Sequence, residues 1–216
     1  METLRAELEL AGLAERLIIY RFRLAMATFA LFAAILSEIL ALALAIAAPM
    51  LPRGMFAEIA ALAAMVAAMF AAAIFYVRKI YYKSTRGVLQ FVEPGERERL
   101  VRRLNVAPMV AYSVPFAVFY AVHVAPLWET YAWYFALTAA SAIMHLAYEK
   151  PLNRAVGRLD LRIYLVLTAA MLGFTPPLCA VAIASPGIAA AVAIMFFMAS
   201  SLAASLQEIY RAEKEL

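Results

Sequence analysis

Six stretches of this chain are apolar over a length that spans a lipid bilayer, and this decides what the chain can fold into. They run over about 24–50, 55–77, 107–127, 131–148, 163–184 and 188–206. A helix needs roughly 20 apolar residues to cross the hydrocarbon core. Lipid offers no partner to a backbone N–H or C=O group, so runs of this kind cross it as helices. Hydrophobic residues make up 67% of the 216, and mean hydropathy is +0.83. A water-soluble fold of this size has too little interior to hide that much apolar surface. The sequence therefore predicts an all-α integral membrane protein, one polytopic domain over 1–216 with six transmembrane helices.

Charge sets the orientation. Residues 1–23 carry four basic side chains, 78–103 carry eight, 149–162 carry four, and the last stretch adds Arg211 and Lys214. Of the nineteen Lys and Arg residues, only Arg53 falls on the other side of the alternation. By the positive-inside rule both termini are cytoplasmic, in the plasma membrane. The same rule accounts for the pI near 9.3 without any nucleic-acid partner. Aromatic belts agree: Trp128, Tyr131, Trp133 and Tyr134 mark an outer boundary, and Tyr76, Tyr81 and Tyr82 an inner one.

Ahead of the first span, residues 1–20 read as an interfacial amphipathic helix. Arg5, Glu9 and Arg16 lie on one side, away from Leu4, Leu8 and Ile18. The sizeable cytoplasmic piece is the 78–106 loop. There the second span is expected to continue as a basic helix, Pro94-Gly95 to make a turn, and a short helix over 96–104 to follow, with Glu98 and Arg102 paired at i,i+4.

Polar residues inside the spans are few. Glu38 sits near the middle of span one, where an acid costs about 2.5–3.5 kcal/mol to insert. Glu58 and His123 lie at similar depth near the outer ends of spans two and three. These three are the intramembrane candidates for a proton or substrate site, against the plainer reading that Glu38 is a protonated partner of a neighbouring hydroxyl and the others reach interfacial water. His145, near the inner end of span four, reads as structural. Two histidines on different helices make no metal site. One cysteine, Cys179, permits no disulfide within the chain. Pro115 is expected to kink span three, Thr175-Pro176-Pro177 to break span five, and Pro186 to start span six. No nucleophile elbow, phosphate-cradling glycine loop, HExxH or CxxC is present, so nothing points to an enzyme or a cofactor.

Several short elements occur together in one order. The first cytoplasmic loop holds Phe91-Val92-Glu93-Pro94-Gly95, then Glu98-Arg99. An aromatic-rich run from Phe119 closes on Pro126-Leu127, and Leu146-Ala147-Tyr148-Glu149-Lys150-Pro151 ends span four. Arg162-Ile163-Tyr164 opens span five, Thr175-Pro176-Pro177 lies near its end, and Pro186 follows. In this the chain resembles the TatC subunit of the twin-arginine protein translocase, from about residue 91 onward. It departs from that family in its short outer turn Pro52-Arg53-Gly54, in Leu178 after Thr-Pro-Pro, and in Met198 where helix six carries a Glu.

The resemblance implies a membrane receptor for signal peptides that works with small single-span translocase partners. It implies a binding surface at Phe91, Pro94, Gly95, Glu98 and Arg99, with Glu149 as a second acid. Carboxylates there would take paired arginines through charge-assisted, bidentate hydrogen bonds. For Glu98 the competing reading is an intrahelical partner of Arg102. Two other functions fit the residues: a small-molecule or ion transporter centred on Glu38, and the membrane subunit of an ABC-type permease docking an ATPase on the 78–106 loop.

Overall fold

The computed structural model describes residues 2–47, 79, 81–121 and 126–214. Among them every regular element is helical. We number them α1 (Glu2–Ala47), α2 (81–89), α3 (Pro94–Ala121), α4 (Pro126–Met144), α5 (Lys150–Ala155), α6 (Ile163–Ala184) and α7 (Pro186–Lys214). A single π-helical turn, His145–Glu149, joins α4 to α5. Both α6 and α7 are long and apolar enough to cross a membrane, with mean hydropathies of 1.9 and 2.1. Only 17% and 33% of their most apolar stretches are buried in the protein. The core helix of a soluble protein would be mostly buried, whereas here the apolar side chains face outward. The same inversion marks α3, where Val106, Met109, Val110, Val114 and Val118 are all exposed. The second expected span lies outside the described residues.

Several elements run further than the sequence suggests. Residues 1–20 and the first span were expected as separate pieces, yet Glu2–Ala47 is one unbroken helix. At 1.5 Å per residue it is about 69 Å long, more than twice the hydrocarbon core. Proline is absent from it, and Gly12 alone among its residues has a weak helix propensity of that order. The turn expected at Pro94-Gly95 falls just before them, over 90–93. Pro94 instead opens α3 at its first position, where its missing N–H and fixed φ suit a helix start. The carbonyl of Glu93 accepts the N–H groups of Glu96 and Arg97, both at 3.0 Å. Residues 96–104 and the third span are therefore one helix.

Thr175-Pro176-Pro177 does not break α6, which continues to Ala184. The prolines deprive the carbonyls of Leu172 and Gly173 of their intrahelical donors. The turn beneath them is tied instead by hydroxyls. Tyr134 Oη and Thr175 Oγ1 both donate to the Met171 carbonyl, at 2.7 and 2.9 Å. Spanning helices tolerate proline where neighbours supply bonds of this kind. Pro186 opens α7, as expected.

Packing runs in a chain: α1 on α7, α7 on α6, α6 on α4, α4 on α3. One apolar cluster joins Phe22 and Met26 of α1, Val88 of α2, Leu104 of α3, Tyr148, Leu152 and Tyr164. A second joins Tyr134, Met171 and Leu178 to Ala189 and Ala193 of α7. The small residues Ala189, Ala193, Ala204 and Ala212 bring α7 close to its neighbours. In the middle of the α1–α7 seam lies a buried ion pair: Arg23 Nε donates to Glu208 Oε1, both side chains almost wholly enclosed. Arg211 Nη1 lies 3.7 Å from the other Glu208 oxygen.

Removing one member of such a pair strands a charge in a low-dielectric seam. Glu208→Met or Arg23→Met alone is expected to cost about 3–5 kcal/mol. The Arg23→Met/Glu208→Met double variant is expected to recover most of it, and thermal unfolding of the four proteins in detergent measures the difference.

Candidate functional site

The loop motif at Phe91 to Arg99 and the Leu146 to Pro151 motif lie on elements that meet where α3, the π-turn and α5 pack. Thr85 and Arg86 stiffen α2: Thr85 Oγ1 donates to the Tyr81 carbonyl at 2.7 Å, and the Arg86 guanidinium lies 4.4 Å over the Tyr82 ring. Gly87 lets α2 approach α1, since a Cβ there would meet Ile18 at 3.1 Å. The 90–93 turn is held from the α3 side. Arg97 donates to the Val92 carbonyl at 3.1 Å and to that of Gln90 at 3.4 Å. This leaves Phe91 on the surface, with Pro94 and Gly95 exposed beside it.

The π-turn, closed by the Lys150 N–H on the His145 carbonyl, runs up to Pro151. Having no N–H, Pro151 leaves the carbonyls four and five residues before it, Ala147 and Leu146, without their helical donor. Arg103 of α3 takes both, from Nε at 3.2 Å and Nη2 at 3.4 Å. One guanidinium thus fastens α3 to the π-turn that follows α4. Between the two elements runs a groove of about 630 Å³, lined by Glu96, Arg99 and Arg103 on one side and Leu146, Lys150 and Arg154 on the other.

No protein-family model, curated protein or solved structure matches the chain. The site is therefore read from its own geometry.

Glu98 is exposed, its side chain 87% accessible, and it pairs loosely with Arg102 at 3.9 Å as the spacing predicts. Arg99 and Arg103 stand beside it. Glu149 is in a different situation. The sequence puts it at a surface, just past the last apolar residue of span four. The structure buries it completely and gives both oxygens partners. Oε1 accepts the Tyr164 N–H at 2.7 Å; Oε2 accepts the Leu165 N–H at 3.2 Å and lies 2.9 Å from His145 Nδ1. Glu149 is thus the cap of α6, supplied by another helix, for donors that a helix leaves orphaned. Burial pushes its carboxyl up from the ordinary range, while the bonds from His145 and the two N–H groups oppose the rise. The structure does not bring Glu149 to the same surface as Glu98. Glu38 falls within α1. Glu58 and His123 lie outside the described residues. Among the described residues, no group of three or more His, Cys, Asp or Glu could hold a metal ion.

The 156–162 connection carries residues that sequence reading passed over. Asn153 clamps it, donating to the Leu161 carbonyl at 2.8 Å and accepting the Leu161 N–H at 3.1 Å. Asp160 accepts from Arg162 at 2.8 Å and from Arg211 of α7. Arg158 reaches Glu15 of α1 at 2.8 Å. The bond from Arg162 holds the Asp160 carboxyl below the usual range; desolvation opposes it, and the bond from Arg211 adds to it.

Two outcomes follow. Glu149→Ala strands two backbone N–H groups in a buried site and is expected to cost about 1–3 kcal/mol per unsatisfied group, with Glu149→Gln milder; hydrogen exchange at Tyr164 and Leu165 locates the loss. Because the folded-state value of Asp160 is lowered, its contribution is present above the ordinary carboxylate range and is lost as pH falls through the lowered value. Thermal melts taken down an acid series are expected to show that loss in the parent and a smaller one in Asp160→Asn.

Proposed function

We propose that the chain is a six-span plasma-membrane protein with cytoplasmic termini, and that it serves as a TatC-like component of a protein-translocation system. The orientation rests on the basic residues, all but Arg53 of which fall on one side of the six-span alternation. The outward-facing apolar surfaces of α3, α6 and α7 support a lipid surround.

The functional reading is carried by one observation. The two motifs that resemble that family, Phe91 to Arg99 and Leu146 to Pro151, are far apart in sequence, and Arg103, one turn past the first on the same helix, donates to the Leu146 and Ala147 carbonyls of the second. In this reading Glu98 accepts an arginine pair of a signal peptide, Phe91 packs beside it, and Pro94-Gly95 sets the start of the helix that presents Glu98. Glu149 acts indirectly, by fixing α6. No bond is made or broken by the chain. The partners are signal peptides and small single-span membrane subunits.

The test is binding of a twin-arginine signal peptide to the detergent-solubilised protein, with a twin-lysine peptide as control. Arginine-selective binding that Glu98→Ala weakens about tenfold or more supports the reading, since a bidentate charge-assisted contact is worth that much. Equal binding of the two peptides, or indifference to Glu98→Ala, overturns it.

A further inference from the structure

The groove between α3 and α5 is cationic out of proportion to its acids. Arg99, Arg103, Lys150 and Arg154 line it against Glu96. Arg103 is committed to the carbonyls of Leu146 and Ala147. Among the described residues, Arg99, Lys150 and Arg154 have no ion-pair partner. Three cations without an ion-pair partner therefore face one depression beside a single acid, and the net positive field there favours an anion.

The groove also straddles a change of polarity that falls at matched positions on its two walls. On α3, Arg103 is followed one turn on by exposed Val106, which lines the adjoining depression with Arg99 and Arg103, and two turns on by exposed Met109 and Val110. On the opposite wall the chain runs the other way, and exposed Leu146 precedes Lys150 and Arg154 by one and two turns. Each wall is thus apolar on the span side and cationic on the loop side. A free phosphate would use the cations alone. A ligand with a phosphate at one end and hydrocarbon at the other uses both. Arginine and lysine clusters at the end of a span, facing the cytoplasmic leaflet, are where anionic headgroups are held, and the guanidinium fork suits phosphate oxygens.

We infer that this groove is a binding site for an anionic phospholipid of the cytoplasmic leaflet. Its phosphate lies among Arg99, Lys150 and Arg154, and its acyl chains lie along Leu146 and the Val106 face of α3. The inference rests on α3 and α4 being membrane spans, and goes beyond the translocation reading, which uses Glu98.

The test uses the full chain in mild detergent, loaded with fluorescent phosphatidylglycerol or phosphatidylcholine, with lipid retained after size-exclusion measured by fluorescence and native mass spectrometry. Phosphatidylglycerol is expected to be retained in preference. Lys150→Gln/Arg154→Gln is expected to lower its retention roughly 30-fold, at about tenfold per 1.4 kcal/mol and one such cation contributing on the order of 1 kcal/mol. Lys83→Gln/Arg86→Gln, which removes equal charge from α2, is expected to leave it unchanged. If the double variant does not fold, Arg154→Gln alone is expected to give about a fivefold drop. Retention of both lipids alike, equal losses in the two double variants, or full displacement by inorganic phosphate overturns the lipid site. Extraction of the chain from membranes by alkaline carbonate, without detergent, would instead remove the membrane reading on which the site rests.

Discussion

The ion pair between Arg23 and Glu208 is the constraint around which the described fold is arranged. Two charges enclosed between α1 and α7 are tolerable only at one register of those helices. Slide either by a turn, and an arginine or a carboxylate faces apolar side chains alone. The pair does not act in isolation, because Arg211 stands one turn along α7 from Glu208 and also reaches Asp160. Fixing α1 on α7 therefore fixes the 156–162 connection, and with it the start of α6. The alanines of α7 supply the close approach, but alanine against alanine is nearly the same at every register. The charges supply the choice.

A second ordering principle is the settlement of backbone groups that proline and helix ends leave open. Pro151 frees two carbonyls and Arg103 closes them. The start of α6 offers N–H groups and Glu149 takes two of them. Pro176 and Pro177 weaken one turn of α6, and two hydroxyls secure the turn beside it. Each repair joins elements distant in sequence, so each is also a tertiary contact. Where hydrophobic burial is a weak guide, because lipid is as apolar as the interior, directional bonds of this kind carry more of the specification.

The limits of α6 were legible in the sequence, since Arg162 precedes the apolar run at one end and Pro186 follows it at the other, and both signals are local. The Glu98–Arg102 pair was legible for the same reason. Glu149 was misplaced because its position after Tyr148 reads as the end of a span, and burial of an acid there depends on a helix that starts fourteen residues later. One local clue existed: His145 and Glu149 share a helix face at i,i+4. Glu208 left a similar trace, lying in step with Ala204 and Ala212 on the small-residue side of α7. The role of Arg103 had no trace at all, because it is defined by carbonyls that Pro151 frees. The junction of residues 1–20 with the following apolar stretch was lost to the change in composition near residue 24, which leaves the helical backbone uninterrupted.

That junction has a mechanical consequence. A helix of 46 residues without a joint behaves as a strut. Leu10, Leu13 and Leu17 are exposed along its N-terminal stretch, which Arg158 touches at Glu15, while Phe22, Arg23 and Met26 are gripped. Force applied to the N-terminal arm is not absorbed by bending at a linker. It arrives at the gripped section as torque about the arginine, and continues undivided towards Ala47.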